Sequence, residues 1–147
     1  RHRRSSMIYF LDASALVKRY VEEPGSEKVR QLLRRRVEIA VARITQAEAF
    51  AAIARATRKN EITSEDRDRA FESLERDMGN ARIIEIRRTI VQAVRDLVIR
   101  WPLRGYDAVQ LACALRLRFE GAAIDVWCSD EELANAARGE GMRATLV

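Results

Sequence analysis

Short apolar segments rich in β-forming residues alternate along this chain with longer segments of helical character. Met-Ile-Tyr-Phe-Leu at 7–11 and Glu-Ile-Ala-Val-Ala at 38–42 are typical of short, buried strands. Because the connections are too long for hairpins, consecutive strands are expected to run parallel, with helices on both faces of the sheet. The alternation therefore predicts an α/β fold with a central, mostly parallel sheet of four or five strands. The predicted strands are 7–11, 38–42, 82–86, 124–128 and 142–147.

Capping and stop signals mark helices between these strands. Ser26 can cap a helix that runs to residue 36, and Thr45-Gln-Ala-Glu48 has the form of a capping box. Pro102 is expected to stop an amphipathic helix at Trp101. The predicted helices cover 14–20, 26–36, 45–58, a stretch that starts at Thr63 or Ser64 and ends at 78, 89–101, 105–119 and 130–137.

Length and composition fit one folded domain. A chain of 147 residues can hold a sizeable core, and a hydrophobic content of 48% excludes a disordered protein. No apolar run approaches the roughly 18 residues that a membrane span needs, and no secretory leader is apparent. Two cysteines and a single histidine exclude a disulfide scaffold and a Cys/His zinc site. We therefore expect one soluble domain over residues 7–147, in the reducing cytoplasm.

The net charge of +5 invites a nucleic-acid partner, but its distribution weakens that argument. Arg1–Ser6, an Arg/His/Ser run before the first methionine, is predicted to be a remnant of an expression tag. Without its three arginines the net charge falls to +2, and the only histidine is lost. The first 60 residues carry 14 basic and 6 acidic side chains, whereas the remainder carries 13 and 16.

Four acidic residues occupy positions where chemistry is possible. Asp12 follows the first predicted strand and Asp130 follows the fourth, and ligands of open α/β sheets bind at this edge. Glu48 and Asp107 lie near the starts of predicted helices. Each acid also has a structural interpretation: Asp12 and Asp130 as helix N-caps, Glu48 as the capping-box partner of Thr45, and Asp107 as a charge that favours its helix N-terminus. Taken singly, each of them is better explained as structural.

Taken together, the four acids indicate a metal site. Carboxylates that lie a few ångströms apart raise one another's pKa unless a cation neutralises them. Carboxylate oxygens without histidine or thiolate select hard ions such as Mg²⁺ or Mn²⁺. Such an ion in a site open to water is suited to phosphodiester hydrolysis.

The residues around these acids resemble the PIN-domain nucleases, and specifically the VapC toxins of VapBC toxin–antitoxin pairs. The segments occur in family order from near the start of the chain to near its end, and the first and third are the more specific. They are YFLDASALVKRY at 9–20, ITQAEAF at 44–50, LRGYDAVQLA at 103–112 and VWCSD at 126–130. The resemblance covers residues 7–147 and implies a three-layer α/β/α domain with an acidic pocket.

The resemblance also implies roles for individual residues. Asp12, Glu48, Asp107 and Asp130 correspond to the catalytic acids of the family. Asp12, Asp107 and Asp130 would bind one or two Mg²⁺ or Mn²⁺ ions, while Glu48 would bind through water or orient the attacking water. Two residues with hydroxyl groups, Ser14 and Ser129, would support the site. Three basic residues are candidates for contacts with RNA phosphates: Lys18, Arg19 and Arg43.

The function implied by the resemblance is that of a metal-dependent endoribonuclease acting as the toxin of a toxin–antitoxin pair. RNA would be its substrate, a VapB-like antitoxin its partner, and a homodimer its expected assembly. The family commonly has histidine after the Asp-Ala pair, where this chain has Gln110. Because that histidine is not one of the acids, the difference concerns local packing or substrate contacts.

Other phosphate-handling folds fit the sequence less well. A haloacid-dehalogenase type of phosphatase needs a second aspartate two residues after the first, where this chain has Ser14. A receiver domain needs an acidic pair near the first strand and an aspartate after the third, and neither is present. An inactive PIN-like module that binds RNA or protein is the alternative function.

Overall fold

A computed structural model describes residues 7–147, so the predicted tag remnant lies outside the described residues. Five strands form one sheet in which every neighbouring pair is parallel, in the order β3-β2-β1-β4-β5. The predicted α/β class and parallel sheet are confirmed. The strands are β1 Met7–Leu11, β2 Glu38–Ala42, β3 Arg82–Ile84, β4 Ala123–Cys128 and β5 Arg143–Leu146.

Seven α-helices connect the strands within residues 7–147. The first is a single turn that continues as a 3₁₀ helix over Val17–Arg19. None of the helices in this part of the chain combines the length and the apolar character needed to cross a membrane. The helices are α1 Ala13–Leu16, α2 Ser26–Arg34, α3 Arg43–Arg58, α4 Ser64–Asn80, α5 Arg88–Arg100, α6 Gly105–Phe119 and α7 Glu131–Gly139.

The helices cover the sheet on two sides, so the domain has three layers, as expected. Successive strand residues point to opposite faces. Phe10 and Val126 enter a core formed with α5, α6 and α7, whereas Leu11 and Trp127 enter a second core formed with α1 to α4. This arrangement explains why β1 and β4 have almost no polar residues, since both of their faces are covered.

The strand order places a topological switch point beside β1. From the centre of the sheet, β2 and β3 extend to one side, while β4 and β5 extend to the other. The connections that leave the carboxyl ends of β1 and β4 therefore diverge to opposite faces and leave a crevice between them, where open α/β sheets bind ligands.

Several boundaries differ from the sequence prediction: helix α2, for example, has Gly25 rather than Ser26 as its N-cap and ends at Arg34 rather than at residue 36. For two of the differences the structure shows the reason. β3 ends at Ile84 and not at residue 86, because its partner strand β2 ends at Ala42, which pairs with Ile84. Helix α3 begins at Arg43 with Ala42 as its N-cap, two residues before Thr45. The predicted capping box of Thr45 and Glu48 is therefore wrong.

Candidate active site

Asp12 lies at the carboxyl end of β1, where it also caps helix α1. Its backbone N–H donates to the carbonyl of Trp127 on β4, 3.1 Å away, which fixes the end of β1 against β4. Its carboxylate Oδ1 accepts hydrogen bonds from the Ala15 backbone N–H at 3.0 Å and from the Ser14 hydroxyl at 2.7 Å. The cap and the site are thus the same side chain, which is only 4% exposed.

Ser14 links the two strand ends that flank the switch point. Its Oγ donates to Asp12 and accepts from the Ser129 backbone N–H at 3.0 Å. The Ser129 hydroxyl donates to the carbonyl of Val147, at 3.0 Å. Both serines therefore hold the loop after β4 in position, as supporting residues would.

Asp130 and Asp107 come from the opposite side of the crevice. Asp130 caps α7, with its Oδ1 accepting from the Glu132 backbone N–H at 3.0 Å. Asp107 is the third residue of α6, in the first turn, where the helix dipole favours a carboxylate. Partial burial raises the pKa of Asp107, and the charge of nearby Asp130 raises it further.

Glu48 reaches the same place from α3. Because the helix begins at Arg43, Glu48 lies in its second turn and is exposed. Ala52 and Arg55 follow at spacings of four and seven residues, so the three side chains share one face of α3. This face of α3 lines the crevice together with the strand ends and α6.

The structure brings all four predicted acids to one pocket of about 380 Å³. Acidic side chains from four separate stretches of sequence meet there, together with small and hydroxyl-bearing residues. The lining residues are Asp12, Ala13, Ser14, Val17, Glu48, Ala52, Arg55, Tyr106, Asp107, Ser129 and Asp130.

Burial and mutual repulsion perturb the acids at the floor of this pocket. Burial raises the pKa of Asp12 to about 6; the charge of Asp107 acts in the same direction, and the hydrogen bonds from Ser14 and Ala15 oppose it. The pKa of Asp107 is raised by its partial burial and then by Asp130, while Arg104 opposes the shift. Such perturbed carboxyl groups in a cleft are typical of functional sites.

The donor set fits a hard divalent cation. The pocket offers carboxylate and hydroxyl oxygens, the ligands that Mg²⁺ and Mn²⁺ prefer. Among residues 7–147, no three histidine, cysteine or acidic side chains are close enough together to enclose an ion jointly. This arrangement matches the habit of Mg²⁺, which is commonly held by one or two carboxylates and keeps several waters. Asp12 and Asp107, whose charges interact, are the first candidates to hold it.

The predicted phosphate-binding residues lie away from this pocket. The Lys18 amino group is buried and donates to the Glu23 carboxylate at 3.2 Å and to the Pro24 carbonyl at 2.9 Å. Two of the three Lys18 N–H donors are used inside the fold, which disfavours a contact with RNA, and the contact stays a prediction.

Arg19 and Arg43 are each paired with an acid. Arg19 Nε donates to Asp77 at 2.6 Å and lines a different cavity, of about 440 Å³, between α2 and the end of α4. Arg43 Nε donates to Glu85 at 3.0 Å on the surface. Contacts of these two arginines with RNA stay predictions.

Two polar side chains that line the pocket, Arg55 and Tyr106, were missed by the sequence reasoning. Arg55 is an exposed cation at the rim of the pocket, and its spacing of seven residues from Glu48 was the available signal. Tyr106 directly precedes Asp107 and is 38% exposed. The pKa of Tyr106 is raised to about 12, chiefly by burial and further by the charges of Glu48, Asp12 and Asp107, although the hydrogen bond from Gln110 opposes the shift. The tyrosine therefore lies among three of the four acids.

Comparisons with known proteins give the family of this chain. The family model described as PIN domain matches residues 9–139, which include all four acids. Two proteins of Mycobacterium tuberculosis, ribonuclease VapC45 (strain CDC 1551 / Oshkosh) and ribonuclease VapC49 (strain H37Rv), are each 33% identical to this chain over 137 residues. The aligned part covers 93% of this chain and 93% of each relative.

Solved structures share the fold at low sequence identity. VapBC2 from Rickettsia felis, bound to a DNA fragment from its promoter, has a TM-score of 0.63 at 15% identity. The alignment covers 96% of this chain and 99% of the matched chain. Mycobacterium tuberculosis VapC20, a sarcin–ricin loop cleaving toxin, has a TM-score of 0.64 at 13% identity and covers 87% and 94%. The predicted resemblance is confirmed: this chain belongs to the PIN-domain family, among the VapC proteins.

Proposed function

We propose that this chain is a metal-dependent endoribonuclease that acts as the toxin of a toxin–antitoxin pair. The observation that carries the proposal is the convergence of Asp12, Glu48, Asp107 and Asp130 in one pocket at the switch point of the sheet. The sequence relatives are named ribonucleases, which supports the same activity here. The VapBC complexes among the structures that share the fold support a VapB-like antitoxin as partner. We further propose that the protein acts in the cytoplasm as a homodimer.

Asp12 and Asp107 would hold Mg²⁺ or Mn²⁺ directly, and Asp130 would contribute through water. Such an ion supplies charge stabilisation for the leaving oxygen and makes water a better nucleophile. Ser14 holds the Asp12 carboxylate in its orientation through the hydrogen bond at 2.7 Å. Ser129, through its backbone N–H, holds Ser14 in turn.

Glu48 and Arg55 perform complementary tasks on the face of α3. Glu48 is an exposed carboxylate at the pocket and would accept the proton of the attacking water or orient that water. Arg55 at the rim would contact a phosphate of the RNA and offset its repulsion from the acids. Arg55 takes the place in this mechanism for which the sequence suggested Lys18.

The test is cleavage of total bacterial RNA by the purified protein, with new RNA ends mapped by sequencing. We expect defined cuts with Mg²⁺ or Mn²⁺, none with EDTA, and none with the Asp12→Asn variant. Asp96→Asn is the matched control, because Asp96 is an exposed aspartate on α5, outside the acidic pocket. Persistent cutting by Asp12→Asn would reject the site, and RNA binding without turnover under either metal would identify a binding module instead.

A further inference from the structure

Tyr106 contributes a hydroxyl group to a pocket that otherwise consists mainly of hydrogen-bond acceptors. Its side chain lines the pocket beside Asp107, and its oxygen lies 3.2 Å from Nε2 of Gln110. Gln110 is one turn further along α6 and is completely buried. The roles of this pair depend on which atom of the Gln110 amide faces the tyrosine.

The surroundings of Gln110 determine the orientation of its amide. Nε2 donates to the Thr45 hydroxyl at 3.0 Å and to the Tyr106 hydroxyl at 3.2 Å, while Oε1 has no partner. In this orientation both N–H donors of the amide are paired, whereas the reverse orientation would leave both of them buried without an acceptor. Nε2 accordingly faces Tyr106 in the structure.

This orientation fixes the direction of the Tyr106 proton. A Gln Nε2 can only donate, so the Tyr106 oxygen is the acceptor in that bond and its own O–H remains to be donated elsewhere. Among the hydrogen bonds within residues 7–147, Tyr106 appears only as an acceptor. The proton therefore remains available for donation, and Tyr106 lines the pocket.

The other hydroxyl groups of the pocket are already engaged. Ser14 donates to Asp12, and Ser129 donates to the carbonyl of Val147. A lysine or arginine at position 106 would form ion pairs with the surrounding carboxylates. A neutral phenol, with an ordinary pKa near 10, can donate to an anion that enters the pocket without being neutralised by those acids beforehand.

We propose that Tyr106 is a substrate-binding residue whose hydroxyl donates a hydrogen bond to a non-bridging oxygen of the scissile phosphodiester. Gln110 and Thr45 act as positioning residues, because their hydrogen bonds direct the Tyr106 proton into the pocket. The proposal rests on the proposed function, since it requires a phosphodiester substrate at this site.

The first test replaces the hydroxyl alone, in the Tyr106→Phe variant. The substrate is an RNA oligonucleotide that spans a cut mapped with the wild-type protein. A hydrogen bond to a charged group is worth roughly 10-fold to 100-fold, so we expect kcat/KM to fall by that factor. Tyr9→Phe is the matched control, because Tyr9 lies on β1 outside the pocket, and it should cut like wild type.

The second test distinguishes substrate contact from a structural role. The same oligonucleotide is prepared with sulfur in place of one non-bridging oxygen at the scissile phosphate, as each diastereomer. Sulfur accepts hydrogen bonds poorly. The ratio of kcat/KM of wild type to that of Tyr106→Phe should therefore shrink toward one for one diastereomer and persist for the other. Comparison of the two proteins on the same substrate cancels any effect of sulfur on metal binding.

The third test reverses the direction of the proton. In Gln110→Glu, the carboxylate can accept from Tyr106 and draw its proton out of the pocket, so cleavage should slow about as much as in Tyr106→Phe. In the Tyr106→Phe background, Gln110→Glu should cause no further loss. Circular dichroism melting confirms that each variant is folded before its rate is interpreted.

The outcomes separate the two proposals. If the wild-type protein cuts no RNA, the proposed function fails. If the wild-type protein cuts and Tyr106→Phe cuts equally fast, or loses the same factor on the oxygen substrate and on both sulfur substrates, the inference about Tyr106 is overturned while the nuclease function stands.

Discussion

Asp12 shows that a structural role and a functional role can reside in one side chain. Its carboxylate caps α1 through the Ala15 N–H, and the same group forms part of the floor of the acidic pocket. Asp130 repeats this arrangement at the start of α7. The cap supplies the orientation, since the N-terminal turn fixes the carboxylate against the strand end.

The buried charge of Asp12 has a cost in stability that depends on pH. Its pKa is raised from 3.8 to about 6, so the ionised form is disfavoured in the folded state. The contribution of Asp12 to the free energy of unfolding is therefore fully present below pH 4, where its carboxyl group is protonated, and is lost as the pH rises through about 6. In EDTA, we expect Asp12→Asn to be more stable than wild type by about 3 kcal/mol at pH 8, because asparagine keeps the cap without the charge.

Urea denaturation of both proteins at pH 4 and pH 8 measures this difference. The advantage of Asp12→Asn should shrink toward zero at pH 4, where Asp12 is largely protonated in the folded protein. An advantage of equal size at both pH values would show that the burial of charge is not its cause.

Arg55 is expected to contribute to RNA affinity through one phosphate contact. Arg55→Gln should weaken binding across RNA sequences and lower the slope of log affinity against log salt by about 0.7. Affinity is measured in the non-cleaving Asp12→Asn background. Arg58→Gln is the control, because Arg58 lies one turn further along α3 and does not line the pocket. An unchanged salt slope in Arg55→Gln would contradict the contact.

Helix α3 shows how packing can shift the start of an element. Thr45 has the local sequence of an N-cap, yet its buried hydroxyl accepts from Gln110 on α6, 65 residues later. The helix instead begins at Arg43, directly after β2, so Glu48 faces the pocket. At α4, by contrast, Thr63 and Asp66 form a complete capping box on the surface.

The end of α7 is held against α5 by close packing at a glycine. A Cβ added to Gly139 would lie 2.1 Å from the Trp101 ring, whose indole N–H donates to Glu140 at 2.8 Å. We expect Gly139→Ala to destabilise the protein by about 1–3 kcal/mol, because the rigid ring must move. An unchanged free energy of unfolding in Gly139→Ala would contradict this packing.

Gly79 provides the matched control for that substitution. It lies in α4, and nothing stands within 4 Å of a Cβ added there. Gly79→Ala should therefore stabilise the protein by about 0.5 kcal/mol through the higher helix propensity of alanine. Both variants are compared with wild type by urea denaturation under the same conditions.

At the scale of the whole molecule, the strand order decides where the acids meet. β1 and β4 are neighbours although more than a hundred residues separate them, and their carboxyl ends bring Asp12 and Ser129 together through Ser14. The helices that follow diverge to opposite faces and leave room for α3 and α6 to add Glu48 and Asp107. The pocket therefore depends on the complete sheet rather than on any one motif.

Binding of a divalent cation should stabilise the entire domain. A ligand that binds only the folded state adds about 2.7 kcal/mol at 100 times its dissociation constant. We expect the melting temperature of wild type and of Asp96→Asn to rise with Mn²⁺ concentration, and that of Asp12→Asn to rise much less. Equal shifts in all three proteins would place the cation elsewhere.

The sequence by itself determined the elements and the candidate acids. Apolar β-forming runs marked all five strands, because period and composition are local properties. The family resemblance pointed to Asp12, Glu48, Asp107 and Asp130, and the structure places them in one pocket. The arginines were harder to assign, since a basic side chain on a helix carries no local sign of its partner.

Only the tertiary structure decided the strand order, the start of α3 and the residues that each side chain contacts. These features depend on contacts between residues far apart in the chain, such as Gln110 with Thr45 and Arg19 with Asp77. The same contacts buried Lys18, left Arg55 at the rim and directed the Tyr106 hydroxyl among the acids. Local sequence can indicate which residues are able to do chemistry, whereas packing across the sheet determines which of them face the same space.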